Sequence, residues 1–293
     1  MHPVTTRLAI LGPGLLGGSL AGAARRAGTA REIRVWARRQ TAADLVAARG
    51  WADVASDSVS AAVDGADLIV LATPVGAMAA LAHQIVANRD RLAPDVVVTD
   101  VGSVKGFVAE KVAPVFQAAG LTFVGGHPMA GAEVAGFEAA RADLFQGAAC
   151  ILTGPGDPPP RLREFWQSVG CRLFTMTPSE HDAAVARVSH VPHLAASAVA
   201  LAMLRGGGED GALAGRGFRD TTRIASGDPA LWTEILLENG AAIEKPLAEL
   251  IARLSEALDF VRRSDDGQLR QFLAEAKSLR DQALAAPDSP SHG

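Results

Sequence analysis

The strand-like run Arg7-Leu8-Ala9-Ile10-Leu11 leads directly into Gly12-Pro13-Gly14-Leu15-Leu16-Gly17-Gly18-Ser19, and this junction constrains the fold more than any other stretch of the chain. A GxGxxG run carries weight only between a strand and a helix, and here both neighbours are present. Gly12 permits the tight turn, Gly14 leaves bare backbone for a pyrophosphate to approach, and Gly17 lets the next helix pack closely on the strand. Leu15 and Leu16 fill the open positions of the motif and start that helix, so they join the three glycines as candidate cofactor-binding residues. The helix N-terminus then offers its unpaired N–H groups to the phosphates. A glycine-rich turn without a ligand and a methyltransferase using a different adenosyl cofactor are the competing explanations.

From residue 7 to about 175, short apolar runs (RLAIL, EIRVW, DLIVLA, DVVVTD, LTFVG, AACILT, CRLFTM) alternate with helical patterns. That rhythm predicts an α/β Rossmann-type N-terminal domain over residues 1–176, a parallel sheet with helices on both faces. Thr177-Pro178-Ser179-Glu180 then reads as a helix start, with a threonine cap, proline at the first helical position and a glutamate placed to close a capping box. Strand signals stop there, so residues 177–285 are expected to form an all-α C-terminal domain. It holds a glycine-rich joint at residues 206–208, a helix opened by Asp228-Pro229, and a long helix that Pro246 is expected to kink or divide. The Pro- and Ser-containing tail, residues 286–293, is expected to be disordered.

Composition removes several classes of function. The longest apolar run, residues 194–204, falls short of the roughly 20 residues that a membrane-spanning helix needs and reads as a buried helix. No signal-peptide core precedes the first strand, which predicts a cytoplasmic protein with no membrane partner. Net charge is −4 with scattered arginines, so a nucleic-acid partner is not expected. Cys150 and Cys171 lie in or beside strand-like segments and read as buried free thiols.

The candidate chemistry lies at predicted strand ends, which face the ligand crevice in open parallel sheets. Gly125-Gly126-His127-Pro128-Met129-Ala130-Gly131 follows the predicted strand Phe123-Val124 and holds one histidine between flexible glycines and a rigid proline. An imidazole so placed can accept a proton from a substrate hydroxyl; a turn histidine bonded to backbone is the plainer alternative. Thr73-Pro74 follows LIVLA, and Asp100-Val101-Gly102-Ser103-Val104-Lys105 follows VVVT, with Ser103 readable as a helix cap and Lys105 as a solvated charge. After the second strand, the acid that meets a 2′-hydroxyl in an NAD site is replaced by Ala37-Arg38-Arg39. Two arginines can instead hold a 2′-phosphate, which predicts NADP in preference to NAD; solvated surface charge is the alternative. His190 and His193 are three apart, but no third ligand accompanies them, so no metal site is expected. These two and His181 read as core or hinge histidines.

In this order the motifs GPGLLGGS, ATPV, DVGSVK, FVGGHPMAGAE, LF-G-A-ILT, SHVPH and DTTRIASGDPALW with Asn239 beyond it resemble the prephenate/arogenate dehydrogenase family of tyrosine biosynthesis, over roughly residues 7–280. The resemblance implies oxidative decarboxylation of a cyclohexadienol, driven by aromatisation of the ring, with hydride passing to NAD(P)⁺. It implies that His127 is catalytic, that Ser103 orients it and the substrate hydroxyl, and that Arg223 binds a substrate carboxylate. Glu133, His193, Asp220 and Trp232 are implied as further substrate-pocket residues. The family's dimerisation, together with helices as apolar as residues 194–204 and 235–251, predicts a homodimer through the helical half. No chorismate mutase segment or C-terminal regulatory domain is seen, which argues for a single activity. A β-hydroxyacid dehydrogenase would need a catalytic lysine in the helical part, where only Lys245 and Lys277 occur, neither in a fitting motif. A non-catalytic redox sensor would need neither His127 nor Arg223.

Overall fold

The computed structural model describes residues 3–131, 134, 136–205 and 210–285. Its first half alternates β1 (Thr5–Leu11), α1 (Leu15–Ala27), β2 (Ala30–Trp36), α2 (Gln40–Ala48), β3 (Val54–Ser56), α3 (Val59–Val63), β4 (Leu68–Leu71), α4 (Val75–Val86) and β5 (Val97–Asp100). Then come α5 (Lys105–Phe107), α6 (Ala113–Ala118), β6 (Thr122–Pro128), β7 (Ala149–Thr153), α7 (Pro160–Ser168) and β8 (Arg172–Met176). Helices alone follow: α8 (Pro178–Val185), α9 (Val191–Leu204), α10 (Arg216–Thr222), α11 (Pro229–Glu238), α12 (Gly240–Arg262) and α13 (Asp266–Ala285).

Among the described residues the strands form one eight-stranded sheet in the order β3-β2-β1-β4-β5-β6-β7-β8. Strand β1 is buried on both faces, as a central parallel strand must be. Leu8 and Ile10 enter one core cluster with Leu20, Phe165 and Trp166, while Ala9 and Leu11 enter the other with Met78 and Phe116.

The sheet departs from the expected arrangement in three ways. All ladders are parallel except that between β6 and β7. Strand β3 is an extra, three-residue edge without the apolar run that would mark it in the sequence. The first strand starts at Thr5, because the Asp67 carboxylate accepts the backbone N–H groups of Thr6 and Arg7 and the Thr5 hydroxyl.

The antiparallel joint matters most for the site. It pairs Gly125 with Thr153 and His127 with Ile151, so His127 lies within β6 and not in a loop beyond it.

Contacts divide the chain into residues 1–243 and 244–293. The change from strands to helices comes earlier, after Met176. Within the first unit the capping box forms as expected: the Thr177 hydroxyl accepts the Glu180 N–H, and the Glu180 carboxylate accepts the Thr177 N–H. Helix α9 is not the buried helix its composition suggests. Only Val191, His193 and Ala196 are buried, and Leu201 stays 63% exposed, because only the first turns of α9 meet the core.

Helix α12 runs through Pro246 as one 23-residue element. Beyond residue 243, Phe260 is buried and its ring lies 6.4 Å from that of Phe272, while Leu254, Leu258 and Leu273 remain exposed. The 206–208 joint and the 286–293 tail lie outside the described residues.

Candidate active site

Geometry at the start of α1 accounts for each glycine separately. Gly12 has φ +111°, and a Cβ there would lie 2.7 Å from the Ala72 carbonyl oxygen. A Cβ on Gly17 would lie 2.0 Å from the Gly12 oxygen, so this contact brings helix and turn together. Gly14, which caps α1 with no side-chain hydrogen bond, has open space where its Cβ would be. That open backbone at a helix N-terminus fits a pyrophosphate. Beside it the Thr73 hydroxyl is buried with no partner among the described residues, a polar group ready for a ligand. At the end of β2, Ala37 is buried, while Arg38 and Arg39 are exposed and their guanidinium groups bond to no described residue.

The second cluster forms where β5 and β6 meet α5 and α8. Asp100 and Lys105 are a fully buried ion pair, and Lys105 Nζ also donates to the Gly126 carbonyl at 2.7 Å. The Asp100 carboxylate accepts the N–H groups of Gly102 and Gly126 at 2.7 and 3.0 Å. One pair thus fastens the turn that carries Ser103 to the strand that carries His127. Burial pushes the Lys105 ammonium down, and Asp100 opposes that shift.

His127 Nδ1 lies 2.7 Å from His181 Nε2, and His181 Nδ1 lies 2.7 Å from Asp182 Oδ1. Asp182 also accepts the N–H groups of Lys105 at 2.8 Å and Gly106 at 2.7 Å. Burial holds the His127 imidazole well below the ordinary histidine range, helped by His181, Lys105 and His190. Burial would raise the Asp182 carboxyl, but hydrogen bonds from His181 and the Lys105 and Gly106 amides outweigh it and hold it low. Asn239 Nδ2 bonds to both the Asp182 carbonyl and His190 Nδ1 at 3.0 Å.

These two clusters share one cavity of about 560 Å³. Of the residues singled out in the sequence, Gly14, Leu15, Leu16, Thr73, Pro74, Ser103, His127 and Trp232 line it. Gly12 and Gly17 shape the turn behind that wall, and Arg38 and Arg39 sit off it at the end of β2. His193 lies behind Trp232, its ring stacked 3.6 Å from the indole at an interplanar angle of 15°, with its Nδ1 buried and without a hydrogen-bond partner among the described residues.

Asp220 and Arg223 do not line the cavity. Asp220 is on the exposed side of α10, and Arg223 opens the 3-10 turn that leads to Gly227 and Asp228 on the cavity wall. Glu133 lies outside the described residues. Both cysteines are free and buried, and no cluster of metal-ligating side chains occurs among the described residues.

Sequence reasoning misses the part played by five residues. In the sequence His181 reads as a core or hinge histidine and Lys105 as a solvated charge, Asp100 stands only at the start of its strand-end motif without a role, and Asp182 has none. The fifth, Glu234 on α11, accepts the Gly76 N–H in the first turn of α4 at 2.6 Å. One local signal for the relay existed: His181-Asp182 directly follows the capping box of the first helix after the last strand.

Two family profiles match the chain: "Prephenate dehydrogenase, nucleotide-binding domain" over residues 20–175 and "Prephenate dehydrogenase, dimerization domain" over residues 177–275. The chain belongs to the prephenate dehydrogenase family. It is 32% identical to a prephenate dehydrogenase of Lactococcus lactis over 282 residues, 94% of this chain and 76% of that one. The solved structure of Aquifex aeolicus prephenate dehydrogenase with hydroxyphenyl propionate and NAD⁺ superposes with a TM-score of 0.84 at 30% identity, covering 95% of this chain and 98% of the other. Synechocystis arogenate dehydrogenase superposes with a TM-score of 0.76 at 29% identity, covering 95% and 100%. As a family member the chain is an NAD(P)-dependent dehydrogenase; the β-hydroxyacid dehydrogenase and redox-sensor readings are not favoured. No helix among the described residues is long and apolar enough to cross a membrane.

Proposed function

We propose that the chain oxidatively decarboxylates prephenate or arogenate, with His127 as the base that takes the proton of the ring hydroxyl. The observation that carries this reading is the buried imidazole, its pKa held low by that burial, on the same cavity wall as Ser103 and the glycine loop. Ser103 holds the substrate hydroxyl toward His127. As the proton leaves, the O–H electron pair becomes the second bond of a carbonyl, and the hydrogen on the same ring carbon departs as hydride. The carboxylate leaves as CO2, its bonding pair passing through the ring to the oxygen, which regains a proton as the phenol. A bound nicotinamide supplies the hydride acceptor. The backbone at Gly14, Leu15 and Leu16 would hold the pyrophosphate, and Thr73 and Pro74 would wall the nicotinamide side. Trp232, braced by His193, closes the substrate side. Arg223 is assigned to a substrate carboxylate, and Asp220 and Glu133 to the substrate pocket around it.

Two finer points follow from particular residues. NADP⁺ is the preferred cofactor, because Ala37 offers no acid to the ribose while Arg38 and Arg39 present unengaged cations where a 2′-phosphate would lie. A homodimer forms through the helical half, where Leu201, Leu237, Leu254 and Leu273 are each more than half exposed in the single chain. Light scattering at micromolar concentration checks this, and a monomer would refute it. A cytoplasmic setting suits the two unbridged thiols. The activity test assays purified protein with prephenate and arogenate against NAD⁺ and NADP⁺. Failure of a folded protein to reduce either cofactor with either substrate would refute the reading.

A further inference from the structure

We propose that His181 and Asp182 are positioning residues that fix the tautomer of His127, leaving its Nε2 as the nitrogen free to accept the substrate's proton. The inference rests on His127 being the base, and the argument runs along donors and acceptors. The Asp182 carboxylate can only accept, so the hydrogen between it and His181 sits on His181 Nδ1. With its ring hydrogen on Nδ1, His181 presents a bare Nε2 that accepts from His127 Nδ1 at 2.7 Å. His127 therefore carries its hydrogen on Nδ1, and its Nε2 lone pair is left for the cavity. Without the chain the imidazole can place its hydrogen on either nitrogen, and one of the two forms cannot act as a base at Nε2.

Asp182 is itself held in place. The N–H groups of Lys105 and Gly106 fix its two carboxylate oxygens, and Asn239 binds its carbonyl. The turn that orients the relay is therefore the one that carries Ser103, so base and hydroxyl holder are set by one local structure. When His127 takes the proton, the positive imidazolium lies at the end of a chain that terminates in a carboxylate, which offsets part of the penalty of charging a buried ring. The other groups facing His127 are Lys105 from α5, His190 from the segment before α9 and the thiol of Cys150 from β7. None of these supplies a negative charge at neutral pH: burial holds the Cys150 thiol well above its ordinary value.

The first test needs no turnover. In full-length protein labelled with ¹⁵N-histidine, ring-nitrogen shifts at pH 8 should show both His127 and His181 as Nδ1–H tautomers, assigned by comparison with His127→Gln and His181→Gln. An Nε2–H form of His127 would overturn the proposal.

The second test is Asp182→Asn. It should lower kcat at least about 10-fold with KM within about 3-fold, and should move the acidic limb of the kcat profile to lower pH, because the imidazolium loses its counter-charge. A loosened loop would act in the opposite direction, hydrating His127 and raising the limb toward the ordinary histidine value. That upward shift, or a wild-type kcat, would also overturn the proposal. If wild-type protein turned over neither substrate, the functional reading would fall while the tautomers still decided the relay.

Discussion

His190 places a measurable cost on acid conditions. Asn239 Nδ2 has two hydrogens, one for the Asp182 carbonyl and one for His190 Nδ1, so His190 must be neutral for the junction between α8 and α11 to close. Burial, with His181 and His193 adding to it against the opposing charge of Asp182, lowers its pKa from 6.5 to about 4. The folded value lies below the unfolded one, so this group's contribution to stability is complete above about pH 6.5 and is lost as the pH falls toward 4. Integrating the proton linkage for this one group gives a loss of about 2 kcal/mol between pH 7.5 and pH 5, and about 3 kcal/mol at pH 4. Urea unfolding followed by tryptophan fluorescence at pH 7.5 and 5.0 measures it directly, with Trp232 a nearby reporter 6.1 Å from the His190 ring. His190→Gln, whose side-chain oxygen can still accept from Asn239, should flatten the pH dependence by about 2 kcal/mol. Identical pH slopes for variant and wild type would refute the argument.

Four other changes probe the rest of the site. His127→Asn should retain substrate binding and lose at least about 100-fold in kcat, and the wild-type acidic limb should lie below pH 6.5 because burial lowers this imidazole's pKa; steady-state kinetics from pH 5 to 9 checks both. Arg38→Ala should raise the NADP⁺ KM about 10- to 150-fold, equivalent to about 1.5 to 3 kcal/mol, with NAD⁺ use nearly unchanged, whereas equal effects on both cofactors would make this arginine ordinary surface charge. Arg223→Ala should weaken substrate binding over a similar range while cofactor affinity, read by fluorescence titration, stays the same. Lys105→Met leaves the Asp100 carboxylate buried without its counter-ion and should cost about 3 to 5 kcal/mol of unfolding free energy, with Asp100→Leu/Lys105→Met recovering part of that loss.

What the sequence revealed, and what it concealed, follows from the distance over which each feature is decided. The glycine loop and the Thr177–Glu180 capping box are set by neighbours within a turn or two, and both form as read. The relay depends on α8 reaching β6: His127 and His181 are 54 residues apart, and Gly76 and Glu234 are 158 apart. No local pattern records such meetings.

The Gly125-Gly126 pair shows how a residue can be singled out for the wrong physical reason. Next to a histidine and a proline, two glycines suggest a flexible turn, yet in the structure they are strand residues pressed between neighbours. A Cβ on Gly125 would lie 2.4 Å from the Thr153 hydroxyl oxygen, and one on Gly126 would lie 2.6 Å from the Asp100 carbonyl oxygen. They are glycines because β7 and the end of β5 approach too closely for any side chain, and that approach lets Lys105 reach the Gly126 carbonyl. The histidine is thus held by a tightly packed strand. This rigidity suits a base whose proton must sit on one particular nitrogen, since a mobile loop would let the ring turn and exchange the two.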